Sequence, residues 1–186
     1  MQIDQLIDRI YLLPESSKQK LKNNTKEVFY PKGHILLKAD RVEEKLYFIK
    51  KGVVRAFAKT PDQEITFWFG KEGDTALSMK SFVGNQKGYE DIELLEDSEL
   101  FQIDALNLQQ LFKEDIHIAN WGRKYAENEL LKTEERLISR LLLNATERYL
   151  ELINNDPTLI QRVQLRYIAS YLGITQVSLS RIRASL

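Results

Sequence analysis

The sequence predicts an α+β protein in which an antiparallel β domain is followed by a long helix and a small helical unit. Three observations lead to this prediction. Residues 27–103 are rich in β-branched and aromatic segments that glycines interrupt. From Ile116 to about Ile153 there is no proline, and only Gly122 interrupts good helix formers. A stop signal, Asn154-Asn155-Asp156-Pro157, then separates this stretch from two short helices.

Residues 1–26 have the pattern of two short amphipathic helices. The apolar residues of the first recur at helical spacing: Ile3, Leu6, Ile7 and Ile10. Pro14 ends that run, and Leu21 belongs to the second helix.

Short strands follow one another through residues 27–103, at the spacing of an antiparallel sandwich or barrel. The clearest are 45–49, 53–57 and 64–69. Lys50-Lys51-Gly52 predicts a tight turn between the first two, because glycine adopts positive φ without steric cost. Pro61-Asp62-Gln63 predicts the next turn.

Helix signals return after the last strand. Asp104 and Asp115 are each placed to cap a helix, and the long helical stretch is expected to break near Asn144. The chain is therefore predicted to divide into residues 1–115, 116–143 and 144–186.

Composition limits the chemistry. The chain has 186 residues and no cysteine, which excludes disulfides, zinc thiolates and iron–sulfur clusters and fits the cytoplasm. No apolar run approaches the length of a membrane span, and no signal peptide is visible. Net charge is zero, but residues 158–186 hold four of the 27 basic residues and none of the 27 acidic ones, which leaves the rest at −4.

The basic C-terminal segment, residues 165–183, has the pattern of a helix-turn-helix. Ile168 and Leu172 lie on one face of the first helix, and Ala169 is small where a second helix must cross closely. Gly173 permits the left-handed turn, and Thr175 can cap the second helix. Its outward residues suit base edges and phosphates in a major groove, so five residues are predicted to contact DNA: Thr175, Gln176, Ser178, Arg181 and Arg183.

Residues from about Glu27 to Leu186 resemble the Crp/Fnr family of transcription regulators, especially its Bacteroidetes-type members, whose chains end soon after the recognition helix. The resemblance rests on the terminal motif and on three upstream segments: 32–37, 45–55 and 72–74. Their glycines, Gly33, Gly52 and Gly73, fall where that family places turn glycines. The resemblance implies a cupin-like, cyclic-nucleotide-binding-type β-roll, a long dimerisation helix and a homodimer that reads palindromic double-stranded DNA.

The segment after Gly73 departs from the family's cyclic-nucleotide binders. Those proteins use a glutamate for the ribose and an arginine for the cyclic phosphate. Here Ser78 occupies the glutamate position and Gly88-Tyr89-Glu90 the arginine motif. Because a buried phosphate needs a charged bidentate partner, a cyclic nucleotide is not expected. An offset that places Lys80 or Lys87 there stays open.

The sensor is therefore expected to bind an unknown small molecule or nothing. The candidate pocket residues are Trp68, Ser78, Ser81 and Tyr89. Haem and metal sites are not supported, since His34 and His117 are the only histidines, and no cofactor is expected. In the recognition helix Val177 replaces the glutamate of the best-known members, which predicts a different operator.

The long helix is the candidate dimer element. Ile118, Trp121 and Tyr125 lie three and four residues apart, as a helix seam requires, and are predicted to form the interface. The alternative is that the apolar residues of this helix pack only on their own β domain and on the tail domain.

Two other functions compete with that of a DNA-binding regulator. A small-molecule binding module with a structural tail remains the alternative. An enzyme on a cupin-like barrel lacks the clustered metal-binding histidines that its chemistry needs, so no catalytic residue is predicted.

Overall fold

The computed structural model describes residues 1–186 and contains two antiparallel sheets with helices at both ends of the chain. The strands are β1 (Thr25–Tyr30), β2 (Ile35–Leu37), β3 (Lys45–Lys51), β4 (Val54–Lys59), β5 (Glu64–Gly70), β6 (Thr75–Ala76), β7 (Asp91–Leu94) and β8 (Ser98–Asp104). The helices are α1 (Ile3–Ile10), α2 (Glu15–Asn23), α3 (Met79–Gly84), α4 (Ala105–Glu114), α5 (Ile116–Leu142), α6 (Ala145–Asn155), α7 (Pro157–Arg162), α8 (Leu165–Leu172) and α9 (Gln176–Ala184).

The eight strands form a β-roll of two four-stranded sheets, with strand orders β1-β8-β3-β6 and β2-β7-β4-β5. Apolar side chains from both sheets meet between them, among them Ile49 and Leu100 from one sheet and Ile92 and Leu94 from the other. The glycine turns predicted at Gly33, Gly52 and Gly73 all have positive φ. At Gly52, φ is +130°, and a Cβ there would also meet the Ser98 side chain, so the β3–β4 turn requires glycine.

The N-terminal half of α5 is part of the β-roll's own core. Ile118 and Trp121 are buried together with Leu6 and Ile7 of α1 and Phe48 of β3. The Trp121 indole Nε1 donates a hydrogen bond to the Ile7 carbonyl oxygen at 3.0 Å. The prediction that Ile118 and Trp121 form a dimer interface is therefore wrong, because both side chains are already covered by their own chain. Tyr125 is half-buried beside Trp121, with ring centroids 6.5 Å apart.

Both helix caps predicted for this part of the chain are present, at the starts of α4 and α5. Asp104 caps α4, and Asp115 caps α5 by accepting from the His117 backbone N–H at 3.0 Å. Asp115 also pairs with Lys20 of α2 at 2.8 Å and accepts a hydrogen bond from Ser17. The hydrogen bond from Lys20 does most to lower the pKa of Asp115, which falls to about 2. The start of α5 is thus tied to α2 as well as to the core.

The C-terminal half of α5 has the opposite character. Its apolar side chains are exposed: Leu130, Leu131, Leu137, Ile138, Leu141 and Leu142. The helix ends at Leu142, and Asn144 caps α6 in a reciprocal pair with Glu147, which is the break predicted near this residue. No helix is long and apolar enough to span a membrane.

Helices α6 to α9 form a tail unit with a small core of its own. Tyr149, Leu159, Ile168, Leu172 and Leu179 are buried there. Two β-roll residues, Val53 and Leu95, join the same apolar cluster, so the tail unit lies directly on the β-roll.

Candidate functional site

The turn between α8 and α9 has the geometry that the sequence predicts. Gly173 adopts the left-handed conformation, with φ 70° and ψ 33°. The Ile174 N–H donates to the Ala169 carbonyl oxygen at 3.0 Å, which closes the end of α8. Thr175 caps α9 by accepting from the Ser178 N–H at 3.1 Å. Two helices are therefore held across a short turn, as in a helix-turn-helix.

One face of α9 is anchored and the other is free. Leu179 is fully buried against Ile168 and Ala169 of α8. The predicted DNA-contact residues lie on the outer side: Gln176, Arg181 and Arg183 are exposed with Thr175, and Ser178 is half-buried. Val177 is 62% exposed beside them. The outer face thus offers amide, hydroxyl and guanidinium groups together with one apolar side chain.

Arg162 of α7 has a different role from the arginines of α9. Its guanidinium donates to both oxygens of Glu72, at 2.9 and 2.8 Å, and also pairs with Glu96. The hydrogen bonds from Arg162 lower the pKa of Glu72 to about 2. Arg162 therefore joins the tail unit to the β-roll. Sequence reasoning grouped it with the other arginines, because its partners lie far away in the chain.

A second polar contact joins α8 to the β-roll around Arg55. Its guanidinium lies between the rings of Phe57 and Tyr167, 3.9 and 3.8 Å from their centroids, and pairs with Glu64 and Glu93. Beside it, the Thr66 N–H donates to Ser170 Oγ at 2.9 Å, and that hydroxyl donates to the Glu64 carbonyl oxygen at 3.0 Å. We call the contacts of Arg162, Arg55, Tyr167 and Ser170 the polar clamp.

A cavity of about 550 Å³ lies between the β-roll, α3 and α5, and 17 of its 24 lining residues are hydrophobic. Its walls include Trp68 of β5, Phe82 of α3 and Tyr125, Ala126 and Leu130 of α5. The volume and the apolar lining are typical of small-molecule sites. Burial raises the pKa of the Tyr125 hydroxyl, which therefore stays neutral at physiological pH.

The structure brings two of the four predicted pocket residues to this cavity. Trp68 lines it, as does Tyr89, which is 56% exposed and lies next to the Phe67 ring rather than in the core. Ser78 and Ser81, the other two predicted residues, do not line it. Both are buried, and Ser81 Oγ accepts from the Glu43 N–H at 3.0 Å and lies 3.1 Å from Ser78 Oγ. These hydroxyls hold the surrounding loops together.

The charges around the cavity do not favour a phosphate. The lining residues that carry charge are Lys80, Glu90, Glu129 and Arg136, and only Glu90 is buried. Lys80 is exposed and lies over the Tyr89 ring at 5.3 Å. An enclosed cyclic phosphate requires an arginine, and no arginine of the β-roll lines the cavity. His34 and His117 are both exposed, and His34 stacks on Tyr30.

Comparison with known proteins agrees with this architecture. Residues 27–115 match the cyclic nucleotide-binding domain family. No curated protein matches the chain. Among solved structures, the c-di-GMP-responsive global regulator CLP of Xanthomonas campestris superposes with a TM-score of 0.74 at 17% identity, covering 92% of this chain and 91% of that one. FixK2 of Bradyrhizobium japonicum gives 0.74 at 20% identity, with coverage of 87% and 84%.

A Crp/Fnr-family transcriptional regulator structure from Eubacterium rectale also gives a TM-score of 0.74, at 17% identity, covering 93% of this chain and 83% of that one. Residues 27–115 thus form a domain of the cyclic nucleotide-binding class. The chain as a whole has the fold of these regulators, which confirms the α+β fold class predicted from the sequence and agrees with its resemblance to the Crp/Fnr family.

Proposed function

We propose that the chain is a cytoplasmic, non-catalytic transcription regulator that binds double-stranded DNA as a homodimer. Residues 1–115 would form the sensor, 116–143 the dimer helix and 144–186 the DNA-binding unit. The observation that carries the proposal is the outer face of α9, where Gln176, Arg181 and Arg183 are exposed while Leu179 fixes the opposite face. Such a helix can enter a major groove without rearrangement of its own unit.

The charge of the C-terminal part of the tail unit supports this reading. Residues 158–186 contain no acidic side chain, and Arg166, Arg181 and Arg183 are exposed while Arg162 is held in the polar clamp. Three exposed guanidinium groups, of which only that of Arg166 bonds within the chain, to Tyr167, favour contact with phosphates and base edges. Val177 adds a surface that can meet a thymine methyl.

The dimer surface is proposed on the C-terminal half of α5. Leu130 and Leu137 lie seven residues apart, as do Leu131 and Ile138, so both pairs repeat along one side of the helix. All four are at least 48% exposed in the single chain. A second copy that packs on this stripe would relate the two α9 helices by two-fold symmetry, about 34 Å apart on a palindromic site.

The route from sensor to DNA unit runs through α5. Tyr125, Ala126 and Glu129 of α5 line the cavity, and the same helix reaches the turn at Gly173 through the Arg140 guanidinium. Arg148 of α6 donates to the Leu172 carbonyl oxygen at 2.9 Å. A ligand that shifts α5 would therefore move the recognition helices relative to each other.

Selection of binding sites from random DNA, followed by affinity measurements with the full-length protein, tests the proposal. Arg181→Ala should weaken binding to the selected site by about tenfold or more and relax the preference at one base position. Arg123→Ala, which removes an exposed arginine of α5, is the matched control and should bind as the parent protein does. A folded protein that ignores DNA at every salt concentration would leave the alternative, a ligand-binding module that the cavity alone explains.

A further inference from the structure

Two polar groups on the cavity wall have few hydrogen-bond partners within the chain. The Thr75 side chain belongs to a residue that is 7% exposed and lines the cavity; its hydroxyl has no hydrogen-bond partner within 3.5 Å, and the Tyr125 hydroxyl interacts with it from α5. Because a buried hydroxyl is stabilised by a hydrogen-bond partner, this wall favours a ligand with a polar atom. A ligand atom at this wall would supply the missing bond.

Glu90 is the second polar group on this wall. Its residue is 6% exposed, it lines the cavity, and its carboxylate has no ion-pair partner. The one hydrogen bond it receives comes from the Tyr89 backbone N–H to Oε2 at 2.9 Å. Oε1 therefore remains available as an acceptor in a cavity whose lining is mostly apolar. A carboxylate in this position attracts a donor and repels a second anion.

We propose that the cavity binds a largely apolar small molecule that carries a hydroxyl or amino group and no negative charge. The ligand's donor bonds to Glu90 or to Thr75, and its apolar body fills the space between Trp68, Phe82 and Leu130. The inference deepens the proposed function, since it assigns a ligand class to the sensor site on which that function relies. It differs from the cyclic nucleotide that the domain family's name suggests.

The rival chemistry is an anionic amphiphile. Lys80 and Arg136 also line the cavity and could attract a carboxylate or phosphate. Both are more accessible to water than Glu90, and Lys80 is exposed, so solvent screens their attraction more strongly. The buried acidic group should therefore decide which charge is accepted, and the experiment below separates the two outcomes.

A matched series of ten-carbon competitors tests the proposal on the full-length protein without DNA. The neutral fluorophore N-phenyl-naphthylamine reports occupancy. Decanol is added below its solubility limit, and decylammonium and decanoate below their micelle concentrations, to displace the fluorophore. Decanol and decylammonium should displace it at concentrations about tenfold lower than decanoate, a difference of about 1.4 kcal/mol. Cyclic AMP should not displace it.

Variants assign the selectivity to the two groups. Glu90→Gln should bring the displacing concentrations of the three competitors to within about threefold of one another, because the charge is removed and the shape of the side chain is kept. Thr75→Val should weaken the binding of decanol severalfold. The variant should keep the fold, because the lost hydroxyl has no hydrogen-bond partner within 3.5 Å. Glu127→Gln, on the exposed side of α5 outside the cavity, should change nothing. Ala126→Trp should block the fluorophore.

Three results would overturn the proposal. The first is that the fluorophore does not bind, or still binds after Ala126→Trp. The others are that decanoate binds as tightly as decanol, or that cyclic AMP displaces the fluorophore. Since no DNA is present, failure of the proposed regulator function leaves this readout intact. Conversely, a protein that binds its DNA site but fails the competitor test refutes only the ligand class.

Discussion

The two surfaces by which helices pack on the β-roll differ in chemistry. On one side, Ile118 and Trp121 of α5 join an apolar core with α1, α2 and α4, and the Trp121 ring packs edge-on against Phe48 at 5.9 Å. On the other side, the tail unit is held by the polar clamp and by Lys71, which pairs with Asp156 at 2.5 Å. Val53, Leu95 and Phe69 add an apolar patch there, and the Phe69 ring lies 5.2 Å from the Tyr171 ring of α8.

This difference indicates which contact can open. Separating a dry apolar core exposes large side chains to water at a cost that grows with their area. Charged groups of a polar contact are solvated again when it opens, so its net stabilisation is smaller. We infer that α5 keeps its N-terminal half fixed on the β-roll while the tail unit can be displaced as a body, which suits the DNA-binding function proposed for that unit.

The largest effect is expected on the apolar side. Trp121→Ala should lower the free energy of unfolding by about 3–5 kcal/mol, because it leaves a cavity and removes the bond to the Ile7 carbonyl. Denaturant titration measures the change. Asn120→Ala, at the neighbouring half-buried position, should cost less than about 1 kcal/mol. Equal losses at both positions would contradict the assignment of Trp121 to the core.

The exposed half of α5 should matter for assembly instead. Ile138→Asp places a charge in the proposed dimer stripe, where Ile138 is 48% exposed in the single chain. Self-association should weaken by about a hundredfold or more, equivalent to about 2.7 kcal/mol, in sedimentation equilibrium. Asn120→Asp adds the same charge to the other half of α5 and should leave the association constant unchanged. A dimer that survives Ile138→Asp would move the interface elsewhere.

The polar clamp should contribute an intermediate amount that depends on pH. Arg162→Gln should destabilise the folded protein by about 2 kcal/mol near neutral pH, since Glu72 and Glu96 lose their partner. The pKa of Glu72 lies at about 2 in the folded protein, below its ordinary value of 4.5. Its stabilisation is therefore complete above pH 4.5 and is lost as the pH falls towards 2.

Unfolding curves at pH 7 and at pH 3 measure this dependence. The difference between the parent protein and Arg162→Gln should be large at pH 7 and smaller at pH 3. Arg166→Gln is the matched control, because this exposed arginine bonds only to Tyr167 in its own unit. A difference that grows on acidification would show that the Arg162–Glu72 pair does not stabilise the fold.

Local signals in the sequence were sufficient for several helix ends but not for α3 and α7, which were not predicted. Asp104 and Asp115 cap their helices as predicted, and the long helical stretch breaks near Asn144 as expected, because a helix end depends on only a few neighbouring residues. The orientation of α5 was not predictable in the same way. Apolar residues three and four positions apart give the same sequence pattern whether they face a partner helix or the chain's own core.

The cavity and the polar clamp could not be predicted from the sequence, because their residues are far apart in the chain. Arg162 meets Glu72 across 90 residues, and no local pattern marks either as half of a pair. Ser78 and Ser81 lie in the segment that aligns with a ligand-binding motif, yet their hydroxyls point to loop atoms. Whether a small polar residue faces a cavity or a loop is decided by packing.

The smallest effect tests whether the turn itself, rather than the contact with the β-roll, positions the recognition helix. Gly173→Ala should cost about 1 kcal/mol, because φ is +70° and L-residues are strained there. A Cβ would also lie 3.1 Å from the Arg140 guanidinium. Gly84→Ala is the control, since its Cβ would meet only Gln86 atoms at 3.6 Å or more and its φ is not positive.

If Gly173→Ala weakens binding to the selected DNA site while the polar clamp stays closed, the turn sets the position of α9. If DNA affinity is unchanged, the buried Leu179 contact alone is sufficient to hold it.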